Sequence, residues 1–193
     1  IQPPKTSKKL PVFVEKDKID TLLDIEFGED FEGQRDRLML ELFYMTGIRL
    51  SELINLKQTD VDLGACQIKV LGKRNKERII PFNPIMKPIF QGYIALKPEN
   101  SDDCLFVNSK GNKLYEKFVY RKVNAYLSQT TTIRKKSPHV LRHTFATHML
   151  NNGADLNAIK ELLGHVNLSA TQVYTHNTVE KLKNIHKQAH PKS

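Results

Sequence analysis

Only one stretch of this chain alternates with the two-residue period of a β-strand, while most of what surrounds it repeats with the period of a helix. Gln67-Ile68-Lys69-Val70 and Arg78-Ile79-Ile80-Pro81 flank a loop over 72–76, which predicts two antiparallel strands with Lys73 at the tip of their hairpin. A single hairpin cannot close a core by itself, so the remaining segments must bury their apolar faces on one another. Helices are predicted over 16–23, 35–46, 52–56, from near Pro88 to 96, 115–127, 138–151, 156–163 and 169–174, with a tail helix from 178. Gly47, Gly153 and Gly164 stop three of them, and Ser51, Ser137 and Asp155 stand where N-caps belong. Leu105-Phe106-Val107 is expected to add a third short strand. The predicted class is mainly α with a small antiparallel three-stranded β-sheet, an α+β fold.

At 193 residues and 39% hydrophobic content, the chain suits one globular domain. Thirty Lys and Arg against 21 Asp and Glu give a formal charge of +9, so its average surface attracts polyanions and nucleic acid is the first partner to consider. Cys66 and Cys104 stand far apart and outside any CxxC spacing, which speaks against a disulfide framework or a zinc site. No apolar run approaches the roughly 20 residues of a membrane span, so no membrane partner is expected and the compartment expected is the cytoplasm, at the nucleoid. Residues 1–11 are basic and proline-bearing, and read as an interdomain linker whose N-terminal neighbour is absent. The expected division is this linker, a catalytic domain over 12–177, and a tail helix over 178–193.

Several residues carry chemistry. His139 and Arg142 lie three apart at a helix start, where they share a face beside the positive end of the helix. A guanidinium can pair two phosphate oxygens, and an imidazole can take or return a proton near neutral pH. Arg49 sits in a bend between two helices, with Glu52 placed to orient it. Lys73 belongs to the cationic hairpin tip Gly72-Lys73-Arg74-Asn75-Lys76-Glu77-Arg78, His165 follows the helix-ending Gly164, and Tyr174 comes nine positions later. Singly, each of these also fits a surface turn, an ion pair or a capping residue.

Their order is more specific. Thr46-Gly47-Ile48-Arg49-Leu50-Ser51-Glu52-Leu53, then Lys73, then His139-Val140-Leu141-Arg142-His143-Thr144-Phe145-Ala146-Thr147-His148, then Leu163-Gly164-His165, then Tyr174 follow one another along the chain. This series resembles the tyrosine recombinases, the phage-type integrase family, and within it the bacterial Xer-type and mobile-element integrase branch. The resemblance runs from about Leu10 to Tyr174.

It implies a catalytic set of Arg49, Lys73, His139, Arg142, His165 and Tyr174, acting on double-stranded DNA without cofactor, metal or ATP. Tyr174 would attack the scissile phosphate to give a 3′-phosphotyrosine, and Arg49 and Arg142 would clamp the nonbridging oxygens. His139 would accept the phenolic proton, His165 would donate a hydrogen bond, and Lys73 would protonate the departing 5′-oxygen. His143, His148 and His176 fall outside the motif and read as packing or surface residues. A homotetramer on DNA, a monomer in solution and an accessory directionality factor are the partners implied. The tail, with Val179, Leu182 and Ile185 in a narrow stripe, is too short to be a stable helix alone and is expected to dock on a neighbouring subunit. Deleting it would then leave the fold largely intact. Two readings stay open beside this one: a type IB topoisomerase that relaxes DNA, and a non-catalytic regulator reading DNA with 156–174 as a helix-turn-helix.

Overall fold

The structure is a computed structural model, and it describes residues 12–72, 76–164 and 176–192, with the side chains of 176–178 excepted. Eight α-helices are described: α1 (Lys16–Leu23), α2 (Phe31–Thr46), α3 (Leu50–Asn55), α4 (Lys87–Leu96), α5 (Glu116–Thr130), α6 (Pro138–Asn151), α7 (Leu156–Leu162) and α8 (His176–Ala189). They accompany one antiparallel sheet, β1 (Val61–Asp62), β2 (Gln67–Leu71) and β3 (Glu77–Pro81), in the order β1-β2-β3. The predicted class is therefore found, and no described helix is long and apolar enough to cross a membrane. The expected helix over 169–174 lies outside the described residues.

The hairpin pairs Ile68 with Ile80 and Val70 with Arg78, which turns Ile68, Val70, Arg78 and Ile80 to the buried face. The third strand is not the one expected. Val61–Asp62 pairs with β2, whereas Leu105, Phe106 and Val107 are fully buried outside the sheet. Their backbone finds other partners: the Leu105 carbonyl accepts from the Tyr93 hydroxyl (2.8 Å), the Val107 N–H donates back to it (3.2 Å), and the Leu105 N–H donates to the Leu56 carbonyl (2.6 Å). One phenol serves two backbone groups that a ladder would otherwise pair.

Helix α2 is the axis of the core and packs on α1, α4 and α6. It opens at Phe31, earlier than the expected 35, because the Asp30 carboxylate accepts the Gly33 N–H at 2.8 Å and caps it. Nearly every side chain from Leu38 to Thr46 is buried, so the helix has no solvent face in its second half. It ends at Gly47 in the left-handed region (φ 61°), as the sequence predicts. Asp155 caps α7 by accepting from the Ala158 N–H (3.0 Å), but Ser137, at the N-cap of α6, makes no side-chain capping bond.

The tail helix α8 lies on its own chain, against β3, α6 and α7. Leu182 and Ala189, with Ile185 beside them, join Phe145, Met149, Ile159, Leu162 and Leu163 in a second apolar cluster. His186 and His190 continue that stripe and are also buried. The tail thus needs a surface, as its length implies, and in this structure that surface is provided in cis.

Candidate active site

Of the six residues implied by the sequence, Arg49, His139 and Arg142 fall among the described residues, while Lys73, His165 and Tyr174 lie outside them. Arg49 occupies the N-cap position of α3 with an extended backbone (φ −75°, ψ 150°). Ser51, expected as that cap, lies inside the helix instead. Glu52, at the third helical position, reaches back: its Oε2 accepts the Arg49 backbone N–H at 2.9 Å, one half of a capping box. Its Oε1 also accepts from Arg49 Nη1 at 2.8 Å, so the carboxylate fixes both backbone and guanidinium, as the sequence suggested.

Arg78 shares that carboxylate and was not singled out by the sequence. Its Nη1 and Nη2 donate to Glu52 Oε1 and Oε2 at 2.6 and 2.9 Å, a bidentate pair. The signal was strand parity: Arg78 occupies the same face of β3 as Ile80, where a solvated arginine has no place. Burial by itself would raise the Glu52 carboxyl, but the bonds and charge of Arg78, then the bonds of Arg49, outweigh it and hold Glu52 down to about 2.

The end of α7 organises the cluster. Three successive carbonyl oxygens there accept from three arginines: Leu162 from Arg78 Nε (3.0 Å), Leu163 from Arg142 Nη2 (2.6 Å) and Gly164 from Arg49 Nη2 (3.2 Å). These are carbonyls that a helix end leaves without intrahelical donors, at its partially negative pole. Arg142 also donates from Nη1 to the carbonyl of Gly47, which ties α6 to the end of α2. Gly164 has φ 66°, and a Cβ there would lie 3.1 Å from Cδ, Nε and Cζ of Arg78. The glycine is needed both for its conformation and for the guanidinium stretched across it.

Three guanidiniums therefore surround one carboxylate, an excess of positive charge. Arg142 registers it: burial first, then the like charges of Arg49 and Arg78, pull it down to about 9 against the opposing pull of Glu52. It stays protonated at neutral pH but lacks a full complement of anions. Of the five N–H donors on each guanidinium, two on Arg49 and two on Arg142 are engaged by described residues. The arrangement can accept an oxyanion that offers several acceptor oxygens, as a phosphodiester does.

His139 is exposed on the first turn of α6, one turn before Arg142. His143 is half-buried, and burial, followed by the charge of His139, lowers its affinity for a proton. His148 is a packing residue as expected: it is buried, and its Nδ1 shares a 3.0 Å hydrogen bond with the Tyr44 hydroxyl. The side chain of His176 lies outside the described set.

The phage integrase family model matches residues 13–181. The chain is 45% identical over 193 residues to the tyrosine recombinase XerC of Staphylococcus saprophyticus, an alignment covering 98% of this chain and 65% of that relative. The chain thus spans a little under two thirds of that relative's length. Among solved structures, it superposes on the XerA recombinase with a TM-score of 0.71 at 31% identity, covering 96% of this chain and 67% of that one. It also superposes on XerH recombinase bound to its difH substrate in a pre-cleavage complex, with a TM-score of 0.75 at 26% identity over 91% of this chain and 54% of that one.

Proposed function

The chain belongs to the phage integrase family, the tyrosine recombinases, and from that premise we propose that it is the catalytic domain of a site-specific recombinase that cleaves and rejoins double-stranded DNA. This is the chemistry by which mobile elements are integrated and excised and chromosome dimers are resolved. The observation that carries the reading is the cationic cluster on the end of α7, because Arg49 and Arg142 hang from the residues that run directly into His165 and Tyr174 in the sequence.

The Tyr174 oxygen attacks the scissile phosphorus, the bond from phosphorus to the 5′-oxygen breaks, and a 3′-phosphotyrosine forms. A free phenol has a pKa of about 10, so its proton must leave during attack, and His139, exposed on the face it shares with Arg142, accepts it. Lys73 returns a proton to the departing 5′-oxygen, and His165 adds a hydrogen bond to the phosphate. Arg49 and Arg142 offset the charge that grows on the nonbridging oxygens in the transition state. One phosphoester is exchanged for another, so no ATP is consumed, and attack by the 5′-hydroxyl of a partner strand runs the step in reverse. Arg78 and Glu52 touch no substrate in this scheme; they hold Arg49 in place.

The active species is read as a homotetramer on two DNA sites, assembled from monomers and open to an accessory directionality factor. Residues 1–11 are read as the linker to a further DNA-binding domain, and 12–177 as the catalytic unit. In the assembly the tail passes to a neighbour and remakes there the contacts it makes in cis, a symmetric exchange that turns an internal surface into an interface. The decisive experiment uses a duplex nicked beside the cleavage site, from which the freed strand diffuses away and leaves the adduct trapped. Wild type accumulates a covalent protein-DNA species; Tyr174→Phe accumulates none while its DNA affinity stays within about threefold, because only the phenolic oxygen is lost. An adduct that survives in Tyr174→Phe refutes the assignment, and no adduct from the wild type favours a non-catalytic DNA binder.

A further inference from the structure

The last turn of α2 leads directly into the bend that carries Arg49, and its carbonyl oxygens are the groups a helix end leaves without intrahelical donors. Three successive ones, from Phe43 to Met45, have identified partners. Phe43 accepts locally, from the Gly47 N–H (3.0 Å). Tyr44 and Met45 are served from far along the chain: the Tyr44 carbonyl accepts from His190 Nε2 (3.2 Å) and the Met45 carbonyl from His186 Nε2 (2.6 Å). Two imidazoles of the tail thus cap the helix that presents Arg49.

The same imidazoles reach Arg142 by packing. His186 and His190 stack on each other with centroids 4.9 Å apart, and each lies against the Phe145 ring at 6.2 and 5.8 Å. Phe145 in turn presses on Gly47 so closely that a Cβ there would meet its Cδ1 at 2.6 Å. The carbonyl of that glycine is the one that accepts from Arg142 Nη1. Both cap and stack therefore end on the backbone segment 44–47, from which Arg49 departs on one side and to which Arg142 is anchored on the other.

We propose that His186 and His190 are positioning residues of the cleavage reaction, fixing the end of α2 so that Arg49 and Arg142 are held at the spacing of the scissile phosphate. The inference rests on the reading of those two arginines as the phosphate clamp. It makes the docked tail a requirement for chemistry, separate from any role in joining subunits, since whichever subunit provides α8 completes the clamp.

Paired variants of the full chain on the nicked duplex test it. The Gln side chain can place an N–H donor where the imidazole Nε2 sits, whereas Asn ends short of it. His186→Asn is expected to lower the single-turnover rate at saturating DNA by on the order of tenfold to a hundredfold, as a small misplacement of clamping groups does. His186→Gln is expected to recover to within about threefold of wild type, and DNA affinity to change by less than about threefold in both. His190→Asn and His190→Gln are expected to follow the same pattern. In an Arg142→Lys background the His186→Asn loss should largely vanish, because residues acting through one group are not additive. Equal rates for the Asn and Gln variants, or a loss that simply adds to Arg142→Lys, overturns the proposal and leaves the histidines a packing role. Absence of a Tyr174-dependent adduct from the wild type overturns the underlying function instead, so the two failures are distinguishable.

Discussion

Glu52 accepts four hydrogen bonds from two arginines while 5% exposed, and this density of contact makes it the most consequential single residue in the cluster. Replacing it with Gln keeps the shape but removes the one negative charge among three guanidiniums. A buried pair broken from one side leaves its partners uncompensated, so Glu52→Gln is expected to cost about 3 kcal/mol in chemical denaturation. The pH dependence carries the same information. The folded state holds the Glu52 carboxyl near 2 against an ordinary 4.5, so its contribution is complete above about 4.5 and is lost as the pH falls through about 2. The stability difference between wild type and Glu52→Gln should therefore shrink over that acid window, and a difference constant from pH 5 to pH 2 would show that the ionised carboxylate is not what stabilises. Glu52 was legible in the sequence as the orienting partner of Arg49, three positions along one helix turn. Arg78 was hidden because a hairpin tip dense in lysine and arginine reads as solvated, and only the strand register separates the residue that turns inward from those that do not.

At the scale of elements, the helices were legible because each carries its own punctuation. Gly47 and Asp155 terminate and cap where expected, and α6 begins at Pro138 as its Ser-Pro opening implies. The third strand was misplaced for a physical reason: Leu105-Phe106-Val107 has strand composition, but what decides pairing is where its backbone hydrogen bonds go, and the Tyr93 hydroxyl, distant in sequence, takes two of them. Register at α3 slipped for a related reason, since a buried Glu52 reaching back to Arg49 outcompetes the Ser51 hydroxyl. The junction after α7 yields a prediction. Gly153 and Gly164 both have positive φ, but a Cβ at Gly153 would meet nothing within 4 Å, whereas at Gly164 it would press on Arg78. Gly153→Ala should therefore show only backbone strain, about 1 kcal/mol. Gly164→Ala should cost more and also slow DNA cleavage, because the three carbonyls that hold the arginines lie at that turn. Equal melting shifts with unchanged cleavage in both variants would mean that the close approach of Arg78 is incidental.

For the whole molecule, the tail is where local sequence says least, since an apolar stripe announces that a helix must dock but not on what. Leu182, Ile185, His186 and Ala189 fall at helical spacing and meet α7, the preceding described helix, and α2 and α6, which are distant in the chain. Removing 178–193 would uncover Phe145, Met149 and Leu162 and strip two carbonyls of their donors, so truncation is expected to destabilise the domain rather than leave it intact. The docking should also be acid-labile. Burial holds His148, His186 and His190 below the ordinary 6.5, and at His190 the neighbouring charge of His186 joins burial to bring it to about 3. The carbonyls at the end of α2 would favour a charged imidazole, but burial outweighs them, and His190 Nδ1 already accepts the Lys192 N–H at 3.2 Å, so a proton there displaces a bond. The groups facing these rings include the Tyr44 hydroxyl, Lys16 and Asp20 at His148, and Lys192 at His190, with Asp20 also 3.8 Å from Lys192. With folded values depressed, the unfolded chain binds the extra protons: the stabilisation is complete above about 6.5 and drains away as the pH falls toward about 3. Hydrogen exchange corrected for intrinsic rates should show α8 amides losing protection between pH 7 and pH 5 while those of α2 keep theirs, and His190→Gln, which cannot take up the proton, should flatten that dependence. Protection of α8 that is the same at both pH values in the wild type would show that tail docking does not depend on neutral imidazoles.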